Sequence, residues 1–149
     1  MVKKIDDKGG DHIGWLLWSA AAAWKTAFRE EMVARGHAWY AEARGAMLQH
    51  IPLSGVKQSQ IVAKAGITKQ AVQQLLIELE GDGVITRRPD PGDGRGKIIE
   101  FTAKGLTALE DARHAKQSVE ATIRAALGPA DFEVLTRLLK KLDPEQDQS

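Results

Sequence analysis

Gln70 and Gln74 stand four residues apart, with Lys69 and Gln73 beside them. A carboxamide offers a donor and an acceptor together, the pair that matches N7 and N6 of adenine in the major groove. Thr68, just before them, has a hydroxyl of the kind that caps a helix by accepting from an orphan backbone amide. Further along come Arg87, Arg88, Arg95 and Lys97, cations suited to phosphates or, on a narrow arm, to the minor groove. Lys57 and Ser59 add polar donors on the other side of the glutamines. This is the chemistry of recognition, and its expected partner is double-stranded DNA. Taken singly, the glutamines read equally as solvent-facing helix surface, so the basic stretch that follows them decides the reading.

Catalysis and metal binding find few residues to work with. There is no cysteine, which excludes a disulfide framework, a thiol nucleophile and a cysteine-ligated zinc. His12, His37, His50 and His114 are never paired at helical spacing and read as surface or capping residues. Neither a zincin helix motif nor a nucleophile elbow nor a phosphate loop is present, and the acidic residues are dispersed among basic neighbours. We expect no enzyme activity, no metal and no cofactor. Net charge is only +1, and residues 57–104 carry eight Lys/Arg against six Asp/Glu, so bulk attraction to nucleic acid is weak. The uncharged run from Ile13 to Trp24 has twelve residues, short of the ~20 that cross a bilayer. Lys3, Lys4 and Lys8 ahead of it are offset by Asp6, Asp7 and Asp11, which disfavours a secretory leader. A cytoplasmic location is expected.

These side chains need elements to hold them. Residues 1–10 read as a flexible leader, with Asp11 as an N-cap. A first helix then carries Ile13, Leu17, Trp24 and Phe28 on one stripe, with Trp15 and Trp18 on a second apolar face. A helix apolar nearly all round must be covered on two sides, by its own domain and by a subunit partner or a ligand. Trp39, Ala43, Met47 and Ile51, spaced four apart, predict a second helix closed by Pro52. A short helix from Gln58 to Ala65, a break at Gly66 and a helix from Thr68 to about Glu80 make a helix-turn-helix. At about 100° per residue its second helix turns Val72, Leu75, Leu76 and Leu79 inward and Gln70 and Gln74 outward. Val84–Arg88 and Lys97–Phe101 predict two strands flanking a glycine-rich hairpin turn over 89–96. A long helix follows Thr102 and ends at Gly128-Pro129. A last one bears Phe132, Leu135, Leu139 and Leu142 at seam spacing, before a polar, disordered tail over 143–149.

The string SQIVAKAGITKQAVQQLLIELEGDGVITRRPDPGDGRGKIIEFTAKG resembles the MarR family of bacterial regulators. Gly66, the Gly83-Val84-Ile85 step, Arg87-Arg88, Asp93-x-Arg95 and Thr102-x-x-Gly105 fall where that family's wing pattern puts them. By order and length of helices the resemblance extends over about residues 11 to 142. It implies a mainly α fold with a small β-wing: a winged helix-turn-helix over 57–104, flanked by dimerisation helices over 11–56 and 105–142. It further implies a homodimer whose first and last helices interlock, a recognition helix in the major groove, Arg95 in the minor groove and Asp93 pairing with Arg95. Asp93 also reads as a plain turn residue. The sequence departs from the pattern at Gly81-Asp82, where a basic pair is usual, at Glu78, which replaces a frequent arginine, and at the outward-facing Ile77. Each loses a phosphate contact or adds repulsion. Those acids and the weak net charge also suit a rival reading, a winged-helix protein-interaction module that no longer reads an operator; a ligand-independent DNA binder without operator release is the other alternative.

Regulators of this type release DNA when a small molecule enters a cleft beside the winged domain. Trp15 and Trp18 are candidates to stack on an aromatic effector, with His12 or Arg44 meeting its carboxylate or phenolate and Trp39 and Met47 completing the pocket. The other reading puts both tryptophans in the dimer interface with Ile13, Leu17, Trp24, Phe132, Leu135, Leu139 and Leu142.

Overall fold

A computed structural model describes residues 12–143. The leader over 1–10, the cap at Asp11 and the tail after Asp143 lie outside the described residues. Helix α1 runs Ile13–Ala34, and the residue capping it is His12, whose Nδ1 accepts from the Gly14 amide at 3.1 Å. Gly36, at a φ of 83°, ends that helix.

The second helix expected through Trp39, Ala43, Met47 and Ile51 does not form. Two short 3₁₀ turns, Ala38–Ala41 and Gly45–His50, replace it. The reason is a close approach. The chain is extended at Glu42 and folds back so far that a Cβ on Gly45 would lie 1.9 Å from the Tyr40 carbonyl oxygen. A continuous helix cannot make that contact. The fourfold spacing of Trp39, Met47 and Ile51 serves burial all the same, since all three lie in the core.

The helix-turn-helix forms from α2, Gln58–Ala65, and α3, Lys69–Gly81. Gly66 takes the left-handed conformation between them, with a φ of 67°. Thr68 caps α3, its hydroxyl accepting from the Ala71 amide at 3.2 Å. Ile61, Val72, Leu76 and Leu79 pack the two helices on Val84, just before the sheet, and on Ile85 and Ile99 within it, all fully buried.

That sheet has three antiparallel strands in the order β1-β3-β2, where β1 is Val56–Lys57, β2 is Ile85–Asp90 and β3 is Asp93–Phe101. Two differences from the expected ribbon matter. Most of the glycine-rich stretch is strand rather than turn, because Pro89 pairs with Lys97 and Asp90 with Asp93, leaving only Pro91 and Gly92 at the reversal. The third strand, β1, was not expected; it pairs Val56 with Ile99 and Lys57 with Ile98, tying the start of α2 to the wing.

Helix α4, Ala103–Leu127, leaves the wing under the Thr102 cap, whose hydroxyl accepts from the Gly105 amide at 3.0 Å and donates to the Gly83 carbonyl at 2.6 Å. A second core of Phe28, Met32, Ala112, Ala115 and Val119 binds α1 to α4. His37 adds a buried polar link, its Nε2 2.8 Å from Asp111 of α4. Helix α5, Pro129–Lys141, buries only Phe132, beneath the Arg124 guanidinium at 4.1 Å. Together these elements make a winged helix-turn-helix between helical arms.

Candidate nucleic-acid interface

On α3 the alternation of burial follows the helical period. Val72, Leu76 and Leu79 are sealed in the core, while Lys69, Gln70, Gln73 and Gln74 are exposed on the opposite face. Ile77 is exposed beside them, at 40%. The face carries amides and one cation, and no carboxylate until Glu78. There the Gln74 amide nitrogen donates to the Glu78 carboxylate at 3.2 Å. Ser59 is exposed at the second position of α2.

The four cations of the wing divide into two kinds. Arg87 is tied to Glu80 of α3, which accepts from the Arg87 amide at 3.0 Å and from its guanidinium at 3.3 Å. Arg88 makes a two-pronged pair across the sheet with Glu100, at 3.1 and 2.9 Å. Those bonds raise Arg88 above the ordinary arginine value and hold Glu100 below the usual carboxylate range. Arg95 and Lys97, by contrast, are exposed and make no ion pair among the described residues. They are the wing cations that no carboxylate side chain neutralises among the described residues.

Two aspartates shape the tip. Asp93 does bond to Arg95, through the backbone: its Oδ1 accepts from the Arg95 amide at 3.1 Å, and the guanidinium is not its partner. Asp90, buried at 7% exposure, was not anticipated as a functional residue. Its Oδ1 accepts from the Gly92 amide at 2.9 Å and its Oδ2 lies 3.2 Å from the Lys57 ammonium. The Gly92 amide first and Lys57 second hold the Asp90 carboxyl below its ordinary value. The Asp-Pro-Gly step was the available signal, since an aspartate side chain commonly bonds the backbone two residues on. Lys57 thus holds the tip end of β2 through Asp90, although its side chain is half exposed.

The residues read as a ligand pocket do not gather at one place. Trp15 and Trp18 stack on each other, ring centres 4.9 Å apart, on the exposed first half of α1. His12 is occupied as the cap of that helix. Trp39 and Met47 are in the core of the winged domain. Arg44 is surrounded by three carboxylates, Glu42, Glu78 and Asp82, and is not free to meet a ligand's acid. The concavity instead lies between α1, the 3₁₀ turns and α4, an open cleft of about 750 Å³ lined by Trp24, Phe28, Tyr40, Glu42, Leu48 and Leu109 among others. Burial there pushes the Tyr40 hydroxyl up from its usual value, so it stays a neutral donor.

Of the residues read as interface, Ile13 and Leu17 are exposed on α1, Leu135 and Leu139 on α5, and Leu142 just past its end. Trp24 and Phe132 are instead engaged within the chain. Trp24 stacks on Phe28 at 5.2 Å, and Phe132 is buried. Among the described residues no group of three or more acidic or histidine side chains is placed to hold a metal ion, and no helix is long and apolar enough to cross a membrane.

Comparison with known proteins agrees with this geometry. A sequence profile of the MarR family matches residues 46–96. The transcriptional regulator HosA of Escherichia coli O111:H- is 27% identical over 88 residues, covering 59% of this chain and 65% of HosA. That alignment spans just under two thirds of the relative's own length. The transcriptional regulator Tm0710 of Thermotoga maritima superposes with a TM-score of 0.64 at 25% identity, over 87% of this chain and 89% of that one. The reduced form of MarR from E. coli superposes at 0.73 with 20% identity, over 89% and 97%. A mutant MepR of S. aureus, solved bound to an oligodeoxyribonucleotide, gives 0.63 at 22% identity, over 88% and 95%.

Proposed function

We propose that this chain, which is similar to the MarR family through its winged helix-turn-helix, is a sequence-specific regulator of transcription that binds double-stranded DNA as a homodimer and has no enzyme activity of its own. The observation that carries this is the pairing of an exposed amide face, Gln70, Gln73 and Gln74 beside Lys69, with a wing whose Arg95 and Lys97 have no carboxylate to answer. Amides suit base edges and the unpaired cations suit phosphate or the minor groove. The likeness to a protein solved on an oligodeoxyribonucleotide supports the same assignment.

The dimer reading rests on surface that a lone subunit leaves wet. Ile13, Trp15, Leu16, Leu17 and Trp18 on α1, Leu135, Leu138 and Leu139 on α5, and Leu142 just past its end are all at least 39% exposed. Monomeric proteins rarely leave so much contiguous apolar surface in water. A second copy, interlocking through the same helices, covers it and sets two recognition helices against a pseudo-palindrome. Trp15 and Trp18 belong to that interface in this reading. The effector, a small aromatic molecule, enters the cleft beside Tyr40 and Trp24 and favours a spacing of the recognition helices that no longer fits the operator, so the protein acts as a repressor. Its site of action is the cytoplasm.

A gel shift with duplex DNA from upstream of the chain's own coding sequence tests the proposal. Native protein shifts the duplex at low salt, and Arg95→Ala weakens the shift while light scattering still reports a dimer. Absence of any shift favours the protein-interaction module instead.

A further inference from the structure

Glu78 and Asp82 lie one turn apart on α3, a spacing at which like charges repel. Arg44 answers both. Its Nε lies 3.2 Å from an Asp82 oxygen and its Nη1 3.8 Å from Glu78 Oε2, while Nη2 reaches Glu42 at 3.3 Å. The Arg44 side chain is only 24% exposed, so these pairs are partly shielded from water. Glu78 therefore has one oxygen facing a guanidinium. Its other oxygen, Oε1, accepts from the Gln74 amide nitrogen.

This bridging fixes more than charge. An exposed glutamine samples several rotamers and both orientations of its amide. With its nitrogen held toward Glu78, the exposed Gln74 amide keeps its oxygen and its second N–H without a partner among the described residues. Those are the two groups that the N6 and N7 edge of adenine requires. A side chain already oriented loses less freedom when it pairs, and binds a mismatched edge less readily because it cannot flip to suit it.

We propose that Glu78, braced by Arg44, is a positioning residue that orients Gln74 for base reading, so that an acid unfavourable for phosphate contact determines specificity. The inference rests on α3 being the recognition helix. It also gives a reason for the two acids that depart from the family pattern. The competing account makes Glu78 a solvating acid, whose removal would raise affinity without altering choice.

The full-length native protein is used to select duplexes from a randomised pool. Base preference at every pair of the selected site is then measured by competition for native protein, Gln74→Ala, Glu78→Ala, Glu78→Gln and Arg44→Gln. Gln74→Ala is expected to reduce discrimination at one pair per half-site from about tenfold to about twofold. Both Glu78 variants remove a negative charge and should raise affinity for all duplexes. Only Glu78→Ala also flattens the Gln74-dependent pair, because Glu78→Gln keeps an acceptor oxygen. Arg44→Gln loosens the same pair; the Glu78 variants carry the test alone if Arg44→Gln does not fold. The proposal is overturned if Glu78→Ala keeps the native preference, if Glu78→Gln loses as much as Glu78→Ala, or if Gln74→Ala changes no pair. Native protein that enriches no sequence at all refutes the reading of α3 itself, a distinct result that removes the proposal with it.

Discussion

Replacing Arg95 by alanine removes a cation whose guanidinium makes no ion pair among the described residues, whereas removing Arg88 and Glu100 together deletes a pair already neutral, with bonds of 3.1 and 2.9 Å. The two changes touch the same wing and should differ sharply in their effect on DNA binding. Each phosphate neutralised contributes about 0.9 to the slope of log affinity against log salt. A dimer of Arg95→Ala loses two cations, so its slope should be shallower by about 1.8, and the affinity gap to native should narrow about eighteenfold as salt rises from about 10 mM to about 50 mM. The double variant Arg88→Ala/Glu100→Ala alters no net charge and should shift the slope by less than about 0.3. Fluorescence anisotropy of a labelled duplex across that salt range reads both slopes. Equal slopes for Arg95→Ala and native, or a double variant as impaired as Arg95→Ala, would refute the division of the wing into engaged and available cations.

Further outcomes follow from the same structure. A Cβ on Gly105 would lie 2.0 Å from the Val84 carbonyl oxygen, so Gly105→Ala should lower stability by about 1–3 kcal/mol in urea denaturation; an unchanged midpoint would count against that packing. Leu139 is 44% exposed and contributes little within the subunit, so Leu139→Asp should halve the mass seen by light scattering and leave the circular dichroism intact. Asp90 has a folded carboxyl held below the ordinary 3.8, so its contribution is present above that value and lost as pH falls through the lower folded value. The native protein should therefore lose stability more steeply than Asp90→Asn as pH drops below about 4. Parallel acid limbs would show that the Gly92 and Lys57 bonds do not bias that carboxyl.

The helix-turn-helix was legible because local signals coincide. Gly66 supplies the left-handed turn, Thr68 the cap and Val72, Leu76 and Leu79 the stripe, and each is readable within a few residues of chain. The segment 38–51 was misread because its apolar spacing fits a helix, while the contact that forbids one, Gly45 on the Tyr40 carbonyl, exists only after the chain has folded back. The wing's cations could be counted from sequence but not sorted. Knowing that Arg88 meets Glu100 requires the strand register, and knowing that Arg87 meets Glu80 requires the docking of β2 on α3. Arg44 shows the same limit. It looked like a partner for a ligand's acid, yet three acids of its own chain, two of them more than thirty residues away, already surround it.

In the proposed function, two copies of this chain read a duplex through α3 and the wing. Selection of randomised duplexes by the native protein at physiological salt, followed by footprinting of the winners, tests it most directly. Two inverted half-sites about one helical turn apart should be enriched, with protection at both. Recovery of unenriched duplexes, or of a single half-site bound by one subunit, would contradict it.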